Sequence, residues 1–187
     1  MNPLAFIGNS YLRWRHSLGF GVHSPFAYNL VKTAVSPGNY GYYGYDLIDD
    51  VLLSPDTEQS RHIKKDARLL LRLLVALDSN RLFLSHSSRP AFHAAAEGAG
   101  VKCLPLSSRK ESPQKGDFVL IEGNSCDVGS VSKLLKEGVA VMAIGSPSQL
   151  TDCIENGISH GVVLTGTRIV LGVPREEMAL VKHSMWF

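Results

Sequence analysis

The sequence predicts an α/β protein: a mostly parallel sheet flanked by helices, with an antiparallel hairpin at its C-terminal end and a helical arm ahead of it. Three observations lead there. Short apolar runs (RLFLS at 81–85, DFVLI at 117–121, VAVMAI at 139–144) alternate with amphipathic stretches of helical period. The last third carries apolar runs with no helix between them. The first 45 residues differ in composition from the rest, holding all six tyrosines, three basic residues (Arg13, Arg15, Lys32) and no acid.

In chain order, GVHSPFAYNLVKTAV reads as a helix whose free amides Ser24 can cap, with Pro25 at the first helical position. Ser36-Pro37-Gly38-Asn39 ends it, and Tyr40 to Tyr45 reads as a Gly/Tyr loop. A long helix follows over about 56 to 77. Its apolar stripe is Ile63, Ala67, Leu70, Leu71, Leu74 and Val75, and Arg61, Lys64, Lys65 and Arg68 face water. After the 81–85 strand comes an Ala-rich helix from Pro90 to Ala99, closed by Gly98 and Gly100. VKCLPL at 101–106 is a weaker strand, which Pro105 marks as an edge or a strand end. DFVLI leads into a helix at Asp127 to Glu137, then VAVMAI, then a short helix at Leu150 to Asn156. GVVLT, RIVLGV and ALVKHSMWF complete the chain as β segments.

A length of 187 residues, 44% of them hydrophobic, suits one core, read here as an arm over 1–50 and an α/β domain over 51–187. The net charge of +2 excludes a dedicated nucleic-acid binder and a disordered chain. No apolar run approaches the roughly 20 residues that span a bilayer. The opening MNPLAFIGNS lacks the charged start and long apolar stretch of a leader, so a cytoplasmic protein and no membrane partner are expected. Cys103, Cys126 and Cys153 form no CxxC pair and read as reduced, mostly buried thiols. The tyrosines of the arm either pin it to the body or cover a ligand. Met185-Trp186-Phe187 is either a packed edge or an association patch.

Open sheets of this kind bind ligands beyond the carboxyl ends of their strands. Four loops therefore matter: Ser85–Pro90, Ser107–Ser112, Glu122–Asp127 and Gly145–Gln149. Ser85-His86-Ser87-Ser88 could hold an activated serine, with Glu122 or Asp127 orienting His86, but adjacency in sequence supplies neither the nucleophile–base bond nor an oxyanion pocket. A polar turn at a strand end explains the same residues. His86, His93 and Cys103 make a weak metal set, because Pro90 interrupts the spacing. Glu122 reads equally as a ligand or as a cap of the next turn.

GVHSPFAYNLV and DFVLIEGNS, in this order of elements, resemble the class I S-adenosylmethionine-dependent methyltransferases, which are Rossmann-like, and in particular bacterial relatives of the catechol-type O-methyltransferase branch. The resemblance covers most of the chain loosely and implies that Ser85, His86, Ser87, Glu122 and Asn124 line a cofactor crevice. It also exposes departures. The family's first turn is glycine-rich so that bare backbone can approach the cofactor; here Leu84 to Pro90 has no glycine. The second strand of the family ends in a ribose-binding acid; here it ends in Ser107 and Ser108, with Glu111 later. Metal-dependent relatives place acids after their fourth and fifth strands; here Glu122 and Asn124 remain, but Gly145-Ser146-Pro147 has no carboxylate, so no metal is expected. The sequence therefore implies a degenerate methyltransferase-like domain, weakly active or inactive, with S-adenosylmethionine as a doubtful cofactor and no assigned catalytic residue. The alternative is a non-catalytic interaction domain, or a homodimer through the N-terminal arm or C-terminal strand.

Overall fold

The computed structural model describes residues 11–187 apart from 17, 20, 39–40, 53–57, 86–88, 109, 124 and 147. Seven strands form one sheet: β1 (Arg81–Leu84), β2 (Lys102–Pro105), β3 (Phe118–Glu122), β4 (Ala140–Ile144), β5 (Gly161–Thr165), β6 (Ile169–Pro174) and β7 (Val181–Ser184). Their order is β2-β1-β3-β4-β6-β5-β7. The first four are parallel, β6 is antiparallel to both β4 and β5, and β7 runs parallel to β5 at the edge. The expected α/β sheet and tail hairpin are both present. The hairpin joins through its second strand, and the last β segment closes the edge beyond it.

Residues 11–16 are helical (α1). The other helices are α2 (Pro25–Leu30), which continues as a π turn over Val31–Val35, α3 (Gly44–Val51), α4 (Glu58–Ala76), α5 (Pro90–Gly98), α6 (Val128–Lys136) and α7 (Ser148–Gly157). The alternating side chains of each strand feed two cores. Leu82, Leu84, Phe118, Leu120, Met142 and Leu164 face α2 to α5, whereas Phe83, Val119, Ile121, Val141 and Val163 face α6 and α7. Ser24 caps α2 by accepting the Ala27 N–H at 3.3 Å, and Pro25 fills its first position, as the sequence predicts.

Two local expectations fail. Residues 40–45 are not all loop, since α3 begins at Gly44. A side chain there would place Cβ 2.7 Å from the Gly98 Cα, so the two glycines let α3 cross α5 in direct backbone contact. Val75, expected in the buried stripe of α4, is 48% exposed; Leu69 and Leu73 are buried, and with them the charged Asp66. The cysteines are free and half-buried, and burial pushes all three thiols up.

The aromatic arm divides. The Tyr45 hydroxyl accepts from Arg72 Nη1 at 2.7 Å with Arg68 over its ring, which pins the arm to α4, while the Tyr42 hydroxyl donates to the Thr33 carbonyl at 3.1 Å within the arm. Tyr11, Tyr28 and Tyr43 are exposed. The tail divides likewise: Met185 is buried, while Trp186 and Phe187 are exposed. No described helix is long and apolar enough to cross a membrane.

Candidate functional site

From β1 the chain moves outward through α5 to β2, then returns past β1 to β3. The strand order reverses between β1 and β3, and the crevice of an open α/β sheet lies at such a point, beyond the carboxyl ends. Ser85 follows β1 and Glu122 ends β3, so two of the five expected cofactor contacts meet there. His86, Ser87 and Asn124, with Ser88, lie outside the described residues.

Ser85 is fully engaged. Its Oγ accepts the Glu122 backbone N–H at 3.1 Å and lies 2.6 Å from Ser125 Oγ, which in turn lies 2.6 Å from the Glu122 carbonyl. A carbonyl only accepts, so the Ser125 proton goes to it and the Ser85 proton goes to Ser125. This ladder ties β1 to the turn after β3, where Gly123 takes a left-handed φ of +56° that reverses the chain. It is turn chemistry rather than an activated nucleophile. Asp127 is committed too: it caps α6, accepting the Ser130 N–H at 2.9 Å and the Ser130 hydroxyl at 2.6 Å, and those bonds hold its carboxyl below the ordinary range.

The Glu122 carboxylate is nearly buried and meets the last residue before α5. Arg89 Nε lies 2.8 Å from Glu122 Oε1, with the arginine 40% and the glutamate 11% exposed. Arg89 directly precedes Pro90, the first residue of α5, so its position above the end of β1 follows from the Pro helix-start signal.

A second charged pair stands beside this one. Arg168, in the β5–β6 turn, places Nη2 2.6 Å and 2.8 Å from the two oxygens of Asp66 on α4. Burial pushes the Asp66 carboxyl up, against the opposing pull of Arg168, His62 and Arg89. A polar cavity of about 210 Å³, lined by Gly145, Ser146, Thr151, Thr167 and Arg168, opens past the end of β4. No carboxylate is among the described residues that line it.

The second strand's missing acid has a structural counterpart. Glu111, the first carboxylate after β2, sits at the opposite end of the sheet, 3.2 Å from Arg81 Nη1 and 3.0 Å from Lys102 Nζ. A cavity of about 340 Å³ also lies at that amino end, beside Asp117 and Arg175, away from the carboxyl ends where such sheets bind ligands. Among the described residues no three His, Cys, Asp or Glu side chains are placed to hold a metal ion. Comparison with family models, with curated proteins and with solved structures finds no match for this chain.

Proposed function

We propose that this chain is an S-adenosylmethionine-dependent methyltransferase-like protein with an eroded cofactor crevice, weakly active or inactive in methyl transfer. The observation that carries the reading is the Arg89–Glu122 ion pair over the ends of β1 and β3. A cofactor seated there would have to separate a nearly buried carboxylate from its cation, a costly step unless the ligand replaces the lost partner. The glycine-free first turn and the displacement of Glu111 to the far end of the sheet support the same reading. The chain then works in the cytoplasm, where its free thiols stay reduced.

The test is thermal shift and calorimetry with S-adenosylmethionine and S-adenosylhomocysteine. The expected outcome is no saturable rise in melting temperature at micromolar nucleotide, the range in which working enzymes bind their substrates. A rise that saturates in that range overturns the reading.

A second reading, a non-catalytic interaction or oligomerisation domain, is favoured by one observation. Tyr11, Leu12 and Trp14 on α1 are exposed, as are Trp186 and Phe187 after β7, and a bond from His16 to the Ser184 carbonyl brings the two segments together. Sedimentation that shows a dimer lost in Trp14→Ala supports it. A monomer at every concentration removes its oligomeric form.

A further inference from the structure

Three histidines from three parts of the chain meet where the N-terminal arm covers the last strand. The His16 ring on α1 and the His183 ring on β7 have centroids 4.8 Å apart, with planes at 59°. His16 Nδ1 lies 3.2 Å from the Ser184 carbonyl oxygen, an atom that only accepts, so Nδ1 carries the proton and donates. His23, just before the Ser24 cap of α2, is the third. The His183 Nε2 atom is buried and has no hydrogen-bond partner.

We propose that this junction is a proton-operated latch, which holds α1 on β7 while His183 is neutral and releases the arm when His183 becomes an imidazolium. An unpartnered nitrogen in apolar surroundings is tolerable as a lone pair. As a charged N–H with no acceptor it is costly, and lifting the arm lets water solvate it. The groups acting on His183 would repel the new charge: His16 from α1 and His23 from the turn before α2. On β5 its register partner is the apolar Leu164, and on β7 itself the exposed Lys182 reaches Asn156 instead.

Burial, then His16 and His23, push the His183 pKa below its ordinary 6.5. The sign follows from linkage. A depressed folded value makes the contribution to docking full above the ordinary value and lost as pH falls from there through the folded one. The arm is therefore closed at neutral pH and opens in mild acid, with no dependence on any nucleotide.

Both tryptophans of the chain, Trp14 and Trp186, flank the junction, so intrinsic fluorescence reads it without a label. The expected result is a reversible fluorescence change between neutral pH and mild acid, before global unfolding. Amides of residues 11–23 should exchange several-fold faster in mild acid once the intrinsic pH effect is removed. His183→Leu should abolish both changes. Titration of the ring protons of the unaltered chain by NMR is the independent measurement, and there His183 should titrate below the ordinary histidine value. Arm protection that does not change with pH, a His183→Leu chain that keeps the full response, or a His183 that titrates at or above the ordinary value would each overturn the proposal.

Discussion

The two ends of the β1–β3 pair carry the same chemical unit, an arginine against a carboxylate, in different settings. At the amino end, Arg81 reaches Asp117 with Nε at 3.1 Å and Nη2 at 2.6 Å, and the Gln114 N–H donates to the same carboxylate at 2.7 Å. Asp117 is 2% exposed, and Arg81 also holds Glu111, which Lys102 holds in turn. At the carboxyl end, Arg89 Nε lies 2.8 Å from Glu122 Oε1, with the arginine two-fifths in water. One end is a saturated staple that pins β1 to β3; the other is a pair at the mouth of a crevice. The difference separates a charge kept for folding from one whose partner a ligand or a conformational change could take.

The largest effect is expected at the staple. Asp117→Ala strands the Gln114 amide and two arginine nitrogens in a buried site, so the unfolding free energy should fall by about 3 kcal/mol. Urea titration reads this as a lower midpoint with an unchanged slope. A loss smaller than that of a surface variant would erase the distinction between the two ends.

Titration sharpens the same contrast, because the acids at the two ends are shifted in opposite directions. Burial raises Asp66 above its ordinary 3.8, so its contribution to stability is present below that value and declines as pH rises through the raised one. Lys102, then Arg81, lower Glu111 below its ordinary 4.5, so its contribution is present above that value and is lost as pH falls through the lowered one. Stability measured against pH for Asp66→Asn and for Glu111→Gln, each subtracted from the unaltered chain, should slope in opposite directions across the acid range. The Glu111 slope is the smaller and the more weakened by salt, since that group is partly exposed. Slopes of one sign would contradict the opposition.

Much of the sheet was legible because its strands are unbroken apolar runs set between stretches of helical period, and Ser24-Pro25 marked the start of α2. The start of α3 was not, because glycine and tyrosine around it carry loop propensity, and the close approach of Gly44 to Gly98 that the helix start makes is tertiary and leaves no local signal. At the site, Ser85 and Glu122 could be placed because both follow apolar strands. Asp66 could have been found: it sits with Ile63, Ala67 and Leu70 at helical spacing, a lone acid on an apolar stripe. Arg168 could not, since nothing local says that a turn residue will pair with a helix 102 positions earlier in the chain. The three histidines were likewise invisible as a group, because β7 had first to be laid against α1.

The smallest expected effect is at the crevice, and it decides what the crevice is. Glutamine in place of Glu122 keeps the shape of the side chain and an oxygen that can accept from Arg89 Nε. Stability should therefore fall by less than it does at the staple. A double-mutant cycle of Glu122→Gln with Arg89→Ala then isolates the pair itself, and its coupling should fall below that of Arg81 with Asp117, because Arg89 stands two-fifths in water. The same cycle on Arg81 and Asp117 should give a markedly larger coupling, because the carboxylate there is removed from water. If the upper pair couples as strongly as the lower one, Glu122 is a second staple. The carboxyl end of the sheet would then be closed by folding rather than left as the remnant of a binding site.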